Sequence, residues 1–192
     1  MFDDHLKKIV SDLAALKKIA EGLQEAGAKI VVTIGSWDQL HIGHGRYLKK
    51  AKKAGDILIA GVDSDRAIKL YKGPTRPMIP ERERMEMLSY MAFVDFITLV
   101  DDVDDKGKWQ YELVTAIKPD VFVAVVDSYP KDQLEELKKY CKEVIVLERQ
   151  AETSTSNQLH KMMKEFIAPM IKSLIPMIKF LKEHGMLPEG EI

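Results

Sequence analysis

A single cysteine, Cys141, in 192 residues excludes an internal disulfide framework and a cysteine-rich zinc site. No apolar run approaches the roughly 18–20 residues that a membrane-crossing helix needs. The opening Met1-Phe2-Asp3-Asp4-His5 lacks a signal-peptide pattern. Excess charge of either sign is missing too. The 29 basic and 30 acidic residues leave a net charge of −1, so nothing marks a general nucleic-acid binder. These absences predict a cytoplasmic protein with a reduced thiol, no membrane span and no nucleic-acid partner. The length suits one compact core with added elements at its ends.

What is present is an alternation of short β-branched runs and amphipathic stretches. Phe2, Leu6, Ile9, Leu13, Leu16 and Leu23 recur at helical spacing, with Asp3 as N-cap and Gly27 as stop. Strands are expected at Ile30–Ile34, Ile57–Val62, Phe96–Val100, Val121–Val126 and Val144–Leu147. Helices are expected at Arg46–Ala51, Ser64–Leu70, Glu81 to about Ala92, Trp109–Ile117 and Lys131–Tyr140, with Tyr71–Pro80 a loop. Near-continuous apolar strands separated by helices predict an α/β fold with a parallel sheet covered on both faces. From Asn157 onward, Leu159, Met162, Phe166, Met170, Leu174 and Ile178 mark a helical stretch that Pro169 and Pro176 should kink or break. The expected division is an N-terminal helix over 1–28, a central domain over 29–157 and a helical extension over 158–192. The extension would cover the domain or a partner subunit.

The most informative segment is Gly35-Ser36-Trp37-Asp38-Gln39-Leu40-His41-Ile42-Gly43-His44. It joins the first strand to a helix, whose N-terminus carries free N–H groups and a positive dipole suited to phosphate. Gly43 lets backbone approach a ligand closely. The imidazoles add donors that change charge near neutral pH. Phosphoryl or nucleotidyl transfer is the chemistry suggested. A dehydrogenase is disfavoured, because histidines stand where a Gly-x-Gly-x-x-Gly loop would need glycines.

The pattern Gly-x-(aromatic)-Asp-x-x-His-x-Gly-His resembles the signature of the cytidylyltransferase-like nucleotidyltransferases. Three further segments extend the likeness over about Ile30–Met162. Gly55-Asp56-Ile57-Leu58-Ile59 looks like the second strand of these enzymes. There Asp63, Ser64 and Asp65 follow, which read as helix caps and are assigned no chemistry. Lys72-Gly73-Pro74-Thr75-Arg76-Pro77 and Arg84-Met85-Glu86-Met87-Leu88 are similar to the Lys-Gly-x-x-Arg-Pro loop and Arg-x-x-x-Leu helix of heptose-phosphate adenylyltransferases; ethanolamine-phosphate cytidylyltransferases have a related Lys-Gly-Pro. Arg149 through Ser154-Thr155-Ser156 resembles an Arg-x-x-x-x-Ser-Thr-Thr motif, with Ser156 in place of the final threonine and Thr153 where cytidylyltransferases commonly have isoleucine.

The resemblance implies a Rossmann-like doubly wound sheet of five parallel strands in the order 3-2-1-4-5. The switch crevice then lies where the strands ending near Ile34 and Val126 diverge. Asp127 follows the second of these, after two valines where relatives commonly have glycines. The resemblance implies His41, His44 and Lys72 as catalytic residues. It implies Ile34, Gly35, Ser36, Gly43, Asp127, Arg149, Ser154, Thr155 and Ser156 around nucleotide and phosphate. Asp38, Arg76 and Arg84 are further candidates, and no residue is assigned to a metal. The expected reaction is transfer of a nucleotidyl group from a nucleoside triphosphate to a phosphorylated polyol, sugar or amino-alcohol, with release of pyrophosphate. Mg²⁺ would accompany the triphosphate, and a homodimer is implied. Arg149 leans the reading to CTP, whereas the Lys-Gly-x-x-Arg-Pro loop resembles ATP-using enzymes. The competing class is a catalytically inactive nucleotide-binding regulatory or scaffold protein.

Overall fold

The structure, a computed structural model, describes residues 4–126, 128–152, 155–184 and 186. Five strands, β1 (Ile30–Gly35), β2 (Ile57–Asp63), β3 (Phe96–Val100), β4 (Val121–Val125) and β5 (Glu143–Leu147), form one sheet in the order β3-β2-β1-β4-β5. All pairings are parallel. The strand order is the one expected, and β1 stands at its centre.

Side-chain alternation along the strands builds the core on both faces. Ile30, Val32 and Ile34 pack with Leu16, Leu113, Ile117 and Phe122 on one face. There α1 (Leu13–Glu25), α5 (Glu112–Ile117) and α6 (Lys131–Leu137) contribute. Val31 packs with Tyr47, Leu48, Leu58, Met85, Leu88 and Val123 on the other, beneath α2 (Ile42–Lys52) and α4 (Glu81–Ser89). A short α3 (Asp65–Lys72) follows β2.

Three local expectations are corrected. The leading apolar repeat is not one helix. Asp4–Lys8 is a 3₁₀ turn, Ile9 bridges Ile97 beside β3, and α1 begins only after Asp12, whose carboxylate accepts from the Ala14 N–H at 2.9 Å. The proposed cap, Asp3, lies outside the described residues. The helix expected from Trp109 begins at Glu112, because Trp109 pairs with Val103 as a bridge and Tyr111 turns through φ 63°.

The third concerns the C-terminal helices. The chain divides into two compact units, Met1–Glu152 and Thr153–Ile192. Within the second, α7 (Thr155–Met162) passes through a π-helical turn, Met163–Ile167, into α8 (Ala168–Glu183). Regular α-helix gives way to the π-helical turn just before Pro169, an interruption where one was expected, whereas Pro176 lies inside α8 without ending it. No helix among the described residues is long and apolar enough to cross a membrane.

Candidate active site

The loop leaving β1 is held from three sides. Trp37 and Gln39 adopt left-handed backbone angles, φ 50° and 51°, which side chains other than glycine rarely take. Burial of the Trp37 ring offsets that strain, and its indole N–H donates to the Gly61 carbonyl at 2.7 Å. Asp38, 2% exposed, accepts from the N–H groups of Met78 and Ile79 and pairs with Arg76 at 2.7 Å. The far end of the Lys72–Pro77 loop is thereby fastened to the motif at the end of β1.

The two histidines cap α2 reciprocally. His41 is the N-cap, and its Nδ1 accepts from the Gly43 N–H at 3.1 Å. His44 turns back so that its Nδ1 accepts from the His41 N–H at 3.3 Å. Because Nδ1 is an acceptor in both rings, the geometry assigns the neutral tautomer protonated on Nε2. Each ring thus has an Nε2–H donor for a ligand. The ring centroids are 4.0 Å apart, and the edge of His44 meets Trp37 at 5.6 Å. Burial lowers the pKa of His41. Burial, then the proximity of His41 and Lys72, lowers that of His44 to about 4 against the opposing pull of Asp38. Both rings are accordingly neutral donors at physiological pH.

Helix α2 is itself pinned over the gap between β1 and β4. The Tyr47 hydroxyl lies 2.6 Å from Thr33 Oγ1 and donates to the Val123 carbonyl at 2.7 Å. One buried side chain thus ties α2 to the two strands that flank the switch point. Tyr129 reaches back across the same gap, its hydroxyl donating to the Ile34 carbonyl at 2.9 Å. Neither tyrosine was singled out from the sequence. Tyr47 sits three residues beyond His44, a spacing legible as the same helix face.

Lys72 arrives from the end of α3 and donates to Ser36 Oγ at 2.8 Å. Desolvation lowers its pKa, opposed by the carboxylate of Asp63. Arg84 does something else. Its side chain is fully buried, and it donates to the carbonyls of Ile79 at 2.9 Å, Asp63 at 2.8 Å and Ser36, and to Asp65 at 2.7 Å. Its donors are committed to the protein, so Arg84 is corrected from a ligand-contact candidate to the support beneath the site. Asp38 and Arg76 share that supporting position through their mutual pair.

On the other side, the turn after β5 approaches α2. Arg46 donates to the Gln150 carbonyl at 3.3 Å, and Ala151 lies against Gly43. Arg149, between β5 and that contact, is exposed. Asp127 and Ser154 lie outside the described residues. Thr155 and Ser156 open α7, and their side chains are likewise outside what is described. Within Met1–Glu152, then, the candidates Ile34, Gly35, Ser36, His41, Gly43, His44 and Lys72 share one junction. Among the described residues no three His, Cys, Asp or Glu side chains converge as a metal site. The described side chains therefore do not form a protein-held cage for a metal ion.

Residue 43 has no room for a side chain. A Cβ there would stand 2.8 Å from His41 Cε1 and 2.9 Å from its Nδ1, with Ala151 Cβ at 3.2 Å behind. Gly43→Ala should therefore displace the His41 ring and break its cap, costing about 1–2 kcal/mol in a thermal melt. Turnover should fall about 10²-fold, as a misplaced catalytic group does.

The buried imidazole also makes stability depend on pH. His44 binds a proton near 6.5 when unfolded but only near 4 when folded, so the unfolded chain holds more protons between those values. Its contribution is complete above about pH 6.5, is lost as pH falls toward 4, and amounts to something on the order of 3 kcal/mol. Asp102, whose buried carboxyl is raised to about 6, gives a slope of opposite sign in an overlapping range. Urea unfolding of wild type minus His44→Asn across pH 4–7 isolates the histidine. A difference that does not change with pH would contradict its assignment.

Fold and site together define a doubly wound α/β domain, with a reciprocally capped histidine pair at its first strand–helix junction. The chain belongs to the cytidylyltransferase-like family, whose model matches residues 32–177. It is 37% identical over 117 residues to the bifunctional protein HldE of a Nitratiruptor species, covering 61% of this chain and 24% of that protein. It is 36% identical over 146 residues to the bifunctional protein HldE of Helicobacter pylori, covering 76% and 30%. The chain thus spans less than a third of the length of these curated relatives.

Among solved structures, a lipopolysaccharide core biosynthesis protein from Thermoplasma volcanium superposes with a TM-score of 0.52 at 26% identity. The match covers 66% of this chain and 99% of that one. A pantoate-beta-alanine ligase from Francisella tularensis shares the fold at 15% identity and a TM-score of 0.53, over 78% of this chain and 72% of that one.

Proposed function

We propose that this chain transfers a nucleotidyl group, AMP in preference to CMP, from a nucleoside triphosphate to a phosphorylated small-molecule acceptor. An oxygen of the acceptor phosphate attacks the α-phosphorus. The bond from that phosphorus to the bridging oxygen breaks, and its electron pair leaves with pyrophosphate. The acceptor is already anionic, so the residues need only position it and stabilise charge. The observation that carries this reading is the reciprocal histidine cap, with two neutral Nε2–H donors at the N-terminus of α2. Lys72 would follow the β- and γ-phosphates as they depart. Asp127, Arg149, Ser154, Thr155 and Ser156 are proposed on the phosphate side through their motif resemblance. Mg²⁺ is proposed to enter with the triphosphate, coordinated by its oxygens and water.

The preference for ATP is supported by the Lys72–Pro77 loop. It resembles that of ATP-using enzymes and is anchored to the site through Ser36 and Asp38. The second reading, CTP, is favoured by the Arg149 motif. Pyrophosphate release measured with ATP and CTP against a panel of phosphorylated polyols, sugars and amino-alcohols separates them. ATP-dependent release is expected. CTP-dependent release would support the second reading, and triphosphate binding without release across the panel would support an inactive nucleotide-binding protein.

A homodimer is part of the proposal. Phe166, Met170, Ile171, Ile175 and Phe180 are all exposed along the C-terminal helices, an apolar surface that water disfavours. Sedimentation should give a dimer, and the double substitution Ile171→Glu with Ile175→Glu should give a monomer. A monomeric wild-type chain would overturn this part.

A further inference from the structure

Of the three polar residues that close β2, two have structural duties. Ser64 caps α3, accepting from the Ala67 N–H at 2.9 Å. Asp65 accepts from the Glu81 N–H at 3.0 Å and pairs with Arg84. Asp63 is different. It caps nothing and stands half-buried at the C-terminal end of β2, beside the end of β1 that carries the histidine loop. One carboxylate oxygen, Oδ2, accepts from the Tyr71 hydroxyl at 2.6 Å. Tyr71 immediately precedes Lys72, whose ammonium rests on Ser36. The carboxylate is thus set within the mouth of the proposed site, aligned by a tyrosine and backed by Lys72 and Arg84. Tyr129, bonded to the end of β1, lies within electrostatic reach of it.

We propose that Asp63, aligned by Tyr71, recognises a hydroxyl group of the acceptor, making that acceptor a polyol or sugar phosphate; this rests on the transfer reaction proposed above. A carboxylate with one oxygen engaged accepts a hydroxyl on the other, and does so strongly because it is charged. A protonated amino-alcohol fits less well. Lys72 already lies within electrostatic reach of the Asp63 carboxylate, and a further cation there would meet its repulsion. Burial raises the Asp63 pKa, and the Tyr71 hydroxyl, Lys72 and Arg84 oppose that rise without cancelling it. A half-desolvated carboxylate of this kind is costly unless a ligand completes its hydrogen bonding.

The test is acceptor binding by calorimetry to the full chain, with Mg²⁺ and an α,β-methylene nucleoside triphosphate present. The probes are glycerol 3-phosphate, hexose 1-phosphates, propyl phosphate and phosphoethanolamine. At least one hydroxylated probe should bind about tenfold or more tightly than propyl phosphate or phosphoethanolamine. Asp63→Ala should abolish that preference. Asp63→Asn, which keeps the shape and an acceptor oxygen, should retain part of it. A wild-type chain that binds all four probes equally, prefers phosphoethanolamine or binds none overturns the inference without recourse to any variant. Equally, an unchanged preference in Asp63→Ala overturns it. Pyrophosphate release is measured in parallel with a cleavable triphosphate. Selective binding without release would fault the transfer reaction and spare Asp63. Release without hydroxyl preference would do the reverse.

Discussion

Replacing His44 with alanine is expected to lower the rate of pyrophosphate release by about 10²–10³, the loss typical when one preorganised donor is removed from a developing charge. Triphosphate affinity should fall much less, because the donor is needed most where charge builds during transfer. His41→Ala should cost a similar factor and add about 1 kcal/mol of instability, since that residue is also the N-cap of α2. The double variant should be little worse than either single one, because the two rings hold each other in place and act as a unit.

The pH profile is a further discriminant. With His44 held near 4, its ring does not change charge on going from pH 6 to 8, and burial lowers the pKa of His41 as well, so activity should not decline through 6.5. A decline there would mean that an imidazolium is the working form. Full activity in His44→Ala would refute the mechanism altogether.

Replacing Arg84 with methionine is expected to destabilise the protein by about 3–5 kcal/mol, read from urea unfolding. Its side chain is fully enclosed and gathers the carbonyls of Ser36, Asp63 and Ile79 with the carboxylate of Asp65. Truncation leaves those acceptors without their donor, and each unsatisfied one is costly inside a protein. Lysine should rescue little, because a single ammonium cannot match a planar guanidinium spread over several acceptors. The variant should also lose turnover when studied well below its melting temperature. Ser36 is held through its carbonyl by Arg84 and receives Lys72 on its hydroxyl, so loosening one frees the other. A stable Arg84→Met protein with impaired phosphate binding would restore the arginine to ligand contact.

Arg84 also marks where reading the chain stops working. Its spacing before Leu88 identifies the residue, but sequence cannot tell an arginine that faces phosphate from one that faces four protein oxygens. That distinction depends on where the ends of β1, β2 and α4 meet. The same holds for Asp63, Ser64 and Asp65. As a string they read as helix caps; in three dimensions one caps, one braces Arg84, and one is left at the mouth of the site. The break between Asp4–Lys8 and α1 was hidden for a related reason. Ile9 has the right spacing for a helix face, but its bridge to Ile97 comes from a strand far along the chain.

What the sequence by itself determined is the local chemistry. Apolar runs of strand length with no polar face specify a sheet buried on both sides, and the histidine motif falls at the junction of a strand and a helix N-terminus, where the proposed site lies. Both signals are short-range, carried by neighbours along the chain. What only the tertiary structure decided is the state and duty of each group. Neutral histidines follow from their reciprocal capping and burial, the anchored Lys72 loop from Asp38 and Ser36, and the hidden support from Arg84. Those depend on hydrogen bonds between residues distant in the chain and on desolvation, neither of which is encoded in any single segment.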